Sequence, residues 1–477
     1  MPALWRRHPL ALAATFVLLL TVWRIAAMAP GGLDLFFDEA QYWFWAQNPD
    51  FGYFSKPPVI AWLIAGSTAL AGDTAFGIRL AMPLCYAVTA ALGAGIAATV
   101  YDRYAAAWTA ITLATLPAVS LSAQLASTDV PLLLFWAAAL LCWLRYWREG
   151  GLWWLGFGLA FGAGLMSKYA MAYWLLCLPL ALLLVPETRG LLGRRGLWLG
   201  LGLGLVLFLP NVWWNWTNEL ASFSHTADNA NWSGPTLKPH KLAEFAAAQF
   251  GVMGPILLAV FAWAAVSWRR LGPQERVLVA FSAPVLGLML VQALLSRAHA
   301  NWAAVAYIAA TVLAVGFLLR QGRERWLCAS LALHGLAAVA ILHGASLAPA
   351  LGVDPWNRLR GWQALATEVQ QRLATQPHAV LAADDRAVMA ELVFYVRPAP
   401  DGWVKFRSQP AARDHYELVS DPAVIGERPV LYIARNPIPP ALAARFMAVE
   451  PQPPLARHRP TRGPEPYRVY WLRGFRG

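Results

Sequence analysis

Long apolar runs recur along the first three-quarters of this sequence, and they constrain its fold more than any other feature. A helix that crosses a membrane needs about 20 mainly apolar residues. Hydrophobic residues make up 58% of the chain and charged residues only 13%, which excludes an ordinary soluble protein. The sequence therefore predicts a polytopic α-helical membrane protein, with candidate spans near 9–29, 80–100, 105–124, 128–147, 151–167, 169–186, 196–214, 244–267, 277–295, 301–319 and 326–346.

Basic clusters between the runs indicate the sidedness of the loops, because cytoplasmic loops are enriched in Lys and Arg. The number of predicted spans depends on whether the short run 59–72 crosses the membrane. If it lies on the membrane surface or only dips into it, the clusters all face one side. If it spans, every cluster after the first moves to the other side. We therefore predict about eleven spans, with the N-terminus inside and the tail beyond 350 outside. The net charge of +12 is thus a topology signal and predicts no nucleic-acid partner.

The outer loops of this topology carry the unusual polar residues. Ionisable side chains at membrane depth are costly and usually functional. A helix cap, a snorkelling lysine or a structural ion pair is the alternative for each residue taken alone. Their convergence on one face predicts a site built from Asp38, Glu39, Lys56, Asp129, Lys168, His225, Asp228, Arg297 and His299.

Two glycine-rich stretches, GFGLAFGAG at 156–164 and GLGLGL at 200–205, superficially resemble nucleotide-binding loops. They lie inside predicted spans without a strand before them, so we interpret them as surfaces for close helix packing. The cysteines lie in apolar segments without metal or redox spacing, which favours buried apolar side chains.

The tail differs in composition from the rest of the chain. We predict a transmembrane domain over 1–349 and a small outer α/β domain over 350–477. WNRLRGWQALATEVQQRL and AVMAELVFYV predict helices, and HAVLAA, PVLYIA and YRVYWLRGF predict strands. The proline-rich PQPPLARHRP predicts a loop, and Asp384-Asp385 predicts a strand-end turn with a helix cap.

The outer residues suit chemistry on a phosphate at the membrane surface. A carboxylate such as Asp38 can take a proton from a hydroxyl, or hold a divalent cation alone or with Glu39 or Asp129. Lysine and arginine pair with phosphate oxygens. These residues permit, without requiring, a donor in which a sugar is joined to a polyprenyl phosphate.

The first loop, DEAQYWFWAQNPDFGYFSKPPVIAWLI, resembles the signature of dolichyl-phosphate-mannose–protein mannosyltransferases (glycosyltransferase family 39) and of their bacterial relatives that transfer aminoarabinose to lipid A. STDVPLLLFW at 127–136 is similar to the family's second-loop aspartate, and LMSKYAMAYW at 165–174 is a weaker match. The resemblance covers about the first 200 residues well. It implies a GT-C-type glycosyltransferase fold with membrane-surface helices in the first outer loop and a soluble domain outside.

The resemblance also implies roles for single residues. Asp38 is then the main catalytic carboxylate with Glu39 beside it, Lys56 contacts the lipid-linked phosphate, and Asp129 is the second acid. Lys168 and Arg297 are further candidates for the donor phosphate. Ser55 stands where the aminoarabinose transferases have a glutamate associated with metal, so the sequence leaves the metal open. His225, Asp228 and His299 are candidates for substrate or metal contact.

The resulting hypothesis is an inverting transferase of the bacterial inner membrane, with its site and tail domain in the periplasm. Its donor is a polyprenyl (undecaprenyl) phosphate sugar, and its acceptor is lipid A, another lipid or an envelope glycan. Transfer to a protein hydroxyl is the alternative within the family. A lipid-linked-sugar flippase is the alternative of another class, and it predicts ionisable groups near the midplane and an internal repeat, neither of which the sequence shows.

Overall fold

The computed structural model describes residues 7–28, 33–230, 237–348 and 352–477. The chain folds into two compact units. The first contains Met1–Ala29, Lys56–Leu63 and Arg79–Leu342, and the second contains Pro30–Ser55, Ile64–Ile78 and His343–Gly477. The second unit therefore joins segments of the predicted first outer loop to the tail, whereas the predicted boundary between 349 and 350 stays a prediction.

The first unit is helical, as the apolar runs predict. Its α-helices are Pro9–Met28, Ala81–Val100, Arg103–Thr115, Pro117–Ser122, Asp129–Glu149, Trp153–Leu165, Trp174–Leu184, Arg195–Thr217, Ala221–Ala230, Pro239–Met253, Pro255–Val266, Pro273–Ala280, Ala283–Leu295, Ala306–Arg320 and Glu324–Leu347, the last of which ends in the second unit.

Within the described ranges, six helices are long and apolar enough to cross a membrane, or up to eight if each of two bent helix pairs is one span. The chain is a multi-pass membrane protein. Three shorter apolar helices, counted over the same described ranges, accompany these spans, and Val59–Ala71 is one of them. At 13 residues, this helix is about 20 Å long and too short to cross a hydrocarbon core of about 30 Å. The count of eleven spans stays a prediction.

The glycine-rich stretches pack two helices together, which confirms their interpretation. A Cβ atom on Gly158 would lie 2.7 Å from the carbonyl oxygen of Gly200, and one on Gly204 would lie 2.5 Å from the ring of Phe161. The backbones of Trp153–Leu165 and Arg195–Thr217 thus approach closely because neither carries side chains there.

The predicted span 244–267 is broken in the structure. The chain bends by 108° at Gly254, between the helices Pro239–Met253 and Pro255–Val266. Gly254 has a φ of +85°, and a Cβ atom on it would lie 2.5 Å from Nε2 of His334. A glycine with positive φ, followed by a proline that starts the next helix, explains a bend that the apolar pattern does not reveal.

The second unit combines short helices with one sheet. Its α-helices in the described ranges include Phe37–Ala46, Trp362–Leu373, Arg386–Tyr395, His415–Val419 and Pro440–Ala443; Val59–Ala71 and Ala75–Arg79 are shared with the first unit. The strands are β1 Val380–Ala383, β2 Trp403–Val404, β3 Val430–Ala434, β4 Phe446–Arg457 and β5 Glu465–Phe475, in the order β2-β1-β3-β5-β4.

β1 pairs in parallel with β2 and β3, while β5 pairs antiparallel with β3 and β4. The three predicted strands and two predicted helices of the tail are confirmed. Asp385 accepts hydrogen bonds from the backbone N–H groups of Ala387 and Val388, which confirms the predicted cap.

The predicted proline-rich loop is wrong for most of its length. Residues 451–457 belong to β4, where Pro451 lies opposite Tyr470 and Leu455 opposite Tyr467. Proline lacks a backbone donor and is tolerated on edge strands and at bulges. β4 is an edge strand of the sheet, with a register shift between Gln452 and Leu455.

Candidate functional site

In the first unit, a buried ion pair joins two of the predicted site residues. Asp129 is the first residue of helix Asp129–Glu149, and Lys168 follows helix Trp153–Leu165. Nζ of Lys168 lies 2.6 Å from Oδ1 of Asp129, and Nδ2 of Asn301 donates to Oδ2 of Asp129 at 2.7 Å. Only 9% of the Asp129 side chain is exposed. Both carboxylate oxygens are therefore engaged, and Asp129 is suited to hold Lys168 and Asn301 in place.

Three other predicted residues, Lys56, Arg297 and His299, are coupled electrostatically to this ion pair or to each other. We call these three residues, with Asp129, Lys168 and Asn301, the Asp129 cluster. Lys56 is near enough to act electrostatically on Asp129. Partial burial lowers the pKa of His299, and the positive charges of Arg297 and Lys168 lower it further. The neutral imidazole that results at pH 7 can both donate and accept a hydrogen bond, as a sugar hydroxyl requires. Within the first unit, the structure thus brings these residues into electrostatic contact, and their roles in a functional site stay predictions.

A cavity of about 370 Å³ adjoins the Asp129 cluster. Asp129 and Asn301 contribute to its lining, and most of its other lining residues are apolar, among them Leu113, Leu133 and Ile308. Mainly apolar pockets with a few placed polar groups are typical of small-molecule sites. This one suits a ligand that has a long apolar portion and a polar end.

In the second unit, Asp38 lies on helix Phe37–Ala46, which we call the Asp38 helix. Nη2 of Arg386 lies 3.2 Å from Oδ1 of Asp38, and 34% of the Asp38 side chain is exposed. Among the described residues, the Asp38 side chain makes no other ion pair or hydrogen bond. Asp38 is thus an accessible carboxylate that has a cation on one side.

Glu39 lies beside Asp38 in sequence but in a different environment. Its residue is only 1% exposed. Its Oε2 atom accepts a hydrogen bond from the backbone N–H of Phe36 at 2.9 Å, which closes the first turn of the Asp38 helix. This contact gives Glu39 a structural task, and its predicted catalytic part stays a prediction.

His225 and Asp228 lie one turn apart on the short helix Ala221–Ala230. Their predicted contact with substrate or metal stays a prediction. Across the ranges that the structure describes, no group of three or more His, Cys, Asp or Glu side chains is arranged to hold a metal ion. Asp38 and Asp129 pair instead with protein cations. We therefore derive no step through a metal, and the divalent cation stays a prediction.

Sequence reasoning missed two residues that complete these clusters. Asn301 lies in LLSRAHANW, the same outer segment as His299, but an asparagine carries no signal of its own there. Arg386 follows Asp385, for which the sequence predicts a turn and helix cap. Their partners, Asp129 and Asp38, are distant in sequence, so only the folded chain reveals the contacts.

Comparison with known proteins identifies the family. The family described as dolichyl-phosphate-mannose-protein mannosyltransferase matches residues 55–214. Over 393 residues, the chain is 38% identical to the lipid A galacturonosyltransferase RgtD of Rhizobium johnstonii. The match covers 80% of this chain and 82% of that protein. The chain therefore belongs to the same family of membrane glycosyltransferases as this relative. The enzyme class predicted from the first-loop signature is confirmed.

Solved structures share the fold of the transferase. ArnT from Cupriavidus metallidurans in the apo state superposes with a TM-score of 0.67, and ArnT bound to undecaprenyl phosphate with 0.70. Each match has 16% sequence identity and covers 96% of this chain and 97% of the other. The predicted GT-C-type fold with a small sheet-containing segment at the C-terminus is confirmed.

Proposed function

We propose that the transferase moves a uronic acid, with galacturonic acid as the leading candidate, from a polyprenyl phosphate to lipid A. The sugar and acceptor are those in the name of the 38% identical relative. The lipid carrier is the one bound in the ArnT structure that shares this fold.

The observation that carries the proposal is the Asp129 cluster beside an apolar cavity. A prenyl phosphate has a hydrocarbon chain that needs an apolar surface and a phosphate that needs cations. The lining of the cavity supplies the apolar surface. Lys168, held at 2.6 Å by Asp129, supplies a fixed cation, and Lys56 and Arg297 add positive charge. We assign these three basic residues to the donor phosphate.

The proposed reaction is a single displacement at the anomeric carbon. The acceptor hydroxyl oxygen attacks this carbon, the bond to the phosphate oxygen breaks, and polyprenyl phosphate leaves with the bonding electron pair. Asp38 accepts the hydroxyl proton as a general base. One displacement inverts the anomeric configuration. We assign His299 to a hydroxyl of the sugar, because its lowered pKa keeps the imidazole neutral at pH 7.

We also propose that the reaction takes place on the periplasmic face of the bacterial inner membrane. The basic clusters between apolar runs support this orientation, since they fall on one side when the helix Val59–Ala71 does not span. A cysteine placed at 101–104 should then resist a membrane-impermeant thiol reagent in intact cells. Labelling there would contradict the orientation.

The deciding experiment compares lipid A from a strain without the gene with lipid A from the same strain carrying the wild-type or Asp38→Asn transferase. Mass spectrometry should show lipid A heavier by one hexuronic acid residue only with the wild-type enzyme. Unchanged lipid A together with newly glycosylated envelope proteins would instead establish a protein acceptor. Accumulation of the lipid-linked sugar without any transfer product would favour transport.

A further inference from the structure

The Asp38 helix packs against a helix from the C-terminal part of the chain, within the second unit. The partner is Arg386–Tyr395, which follows β1, and we call it the Arg386 helix. The rings of Trp43 and Phe394 meet edge to face with centroids 4.9 Å apart. The backbone N–H of Leu35 donates to the Tyr395 hydroxyl at 2.8 Å. The contacts at these positions fix the two helices together.

Arg386 makes three contacts with the Asp38 helix. Nη2 lies 3.2 Å from Oδ1 of Asp38, and Nη1 donates to Oε1 of Gln41 at 3.2 Å. The guanidinium carbon lies 4.8 Å from the centre of the Phe37 ring. A planar guanidinium can serve two oxygen atoms and an aromatic face at once, which the point charge of a lysine cannot do. The side chain of Arg386 therefore has a defined orientation.

The Arg386 helix holds this side chain at a fixed place. Arg386 is its first residue, and the preceding Asp385 caps it through the N–H groups of Ala387 and Val388. The helix starts directly beyond β1, which lies between β2 and β3 in the sheet. The position of Arg386 is therefore set by the sheet and by the cap together.

We propose that Arg386 is a positioning residue for the catalytic carboxylate. The ion pair holds Oδ1 of Asp38, fixes the torsion of the carboxylate and directs Oδ2 towards the acceptor hydroxyl. The C-terminal part of the second unit, which carries Arg386, thereby takes part in catalysis without contacting substrate. This inference rests on the proposed role of Asp38 as general base.

The matched control is Arg397, at the other end of the same helix pair. Its guanidinium carbon lies 5.4 Å from the ring centres of both Trp43 and Phe394, and no ion pair joins it to Asp38 among the described residues. Arg386→Gln and Arg397→Gln therefore remove the same charge and the same kind of stacking from one interface. Only Arg386→Gln also removes the ion pair with Asp38.

The experiment measures kcat and KM for the donor with full-length purified transferase in lipid nanodiscs. We expect Arg386→Gln to lower kcat by about 10- to 100-fold, because misplacing a reacting group by about 1 Å costs up to that much. KM for the donor should stay within about twofold, since no ground-state contact to the donor is lost. Arg397→Gln should keep kcat within about twofold of the wild type.

Two further variants separate positioning from folding. Arg386→Ala should regain part of its kcat when guanidinium ion is added, whereas Asp38→Asn should not respond. Arg386→Lys, which keeps the charge and loses the fork, should lie between the wild type and Arg386→Gln. It also keeps the test open if Arg386→Gln fails to fold.

Three outcomes overturn the inference. They are a kcat of Arg386→Gln equal to or above the wild-type value, an equal loss in Arg397→Gln, and an Arg386→Lys variant as active as the wild type. The proposed function has a separate criterion, because full activity of Asp38→Asn would remove the general base itself.

Discussion

The Asp129–Lys168 and Asp38–Arg386 pairs differ in how much of the carboxylate remains available. Asp129 is held by Lys168 at 2.6 Å and by Asn301 at 2.7 Å, and only 9% of its side chain is exposed. Asp38 meets Arg386 at 3.2 Å and keeps 34% of its side chain exposed. A carboxylate with both oxygens engaged positions its neighbours, whereas one with a single partner can still accept a proton. Two acids that look alike in sequence thus suit different tasks.

The largest expected effect is the loss of transfer activity when Asp38 is replaced. Asp38→Asn should lower kcat by about 10²- to 10⁴-fold, the usual contribution of a general base, while membrane insertion and Tm stay as in the wild type. Transfer assays and thermal unfolding in detergent measure the two quantities. Asp50→Asn is the control, because Asp50 is an exposed carboxylate of the same loop that accepts from the backbone N–H of Phe51. Equal losses in both variants would contradict the special place of Asp38.

Removing the cation should affect stability very differently in the two pairs. Lys168→Gln leaves Asp129 buried without its counter-charge, which costs about 3–5 kcal/mol in the free energy of unfolding. Arg386→Gln should cost only about 0–1 kcal/mol, because its partner is partly exposed. Thermal or denaturant unfolding of both variants measures the difference. If the double variant Lys168→Gln/Asp129→Asn does not recover stability, the ion pair is not the cause.

The hydrogen bond from Asn301 should have a smaller effect within the Asp129 cluster. Asn301→Ala removes a donor to a charged oxygen and should lower the free energy of unfolding by about 1.5–3 kcal/mol. Asn218→Ala is the matched control, because its amide donates to an uncharged carbonyl, that of Trp214, at 2.8 Å. Its expected loss is about 0.5–1.5 kcal/mol. Unfolding measurements that rank the two variants the other way would show that Asn301 does not fix Asp129.

Acid should weaken the region around the Asp38 helix. His415 packs against the rings of Phe44, Trp45 and Tyr53 on and after that helix. Burial lowers its pKa from 6.5 to about 3. The unfolded chain therefore binds this proton first, and stability is lost as the pH falls from about 6.5 towards 3.

At pH 5 the expected loss from His415 is about 2 kcal/mol. The Tm of His415→Phe in detergent should fall less between pH 7.5 and pH 5 than that of the wild type. His378→Gln is the control, since His378 is exposed and pairs with Asp401. A wild-type pH dependence that persists in His415→Phe would exclude this histidine as its source.

Features that depend on residues close together in the sequence could be predicted from the sequence alone. Apolar runs of about 20 residues predict helices in a membrane, because a buried backbone there must satisfy its own hydrogen bonds. The glycines of 156–164 and 200–205 predict close helix packing, and the alternating runs of the tail predict strands. The first-loop signature from Asp38 to Lys56 identifies the enzyme class, since those residues lie on one continuous segment.

Contacts between distant segments were decided by the tertiary structure. The apolar pattern does not distinguish a straight span from one bent at Gly254, and proline content alone made an edge strand look like a loop. Asn301 reaches Asp129, and Arg386 reaches Asp38, only because packing brings separate helices and turns together. The sequence by itself determined the membrane helices and the kind of chemistry. Which carboxylate is held on both oxygens and which stays open depends on burial and on long-range partners, and these exist only in the folded chain.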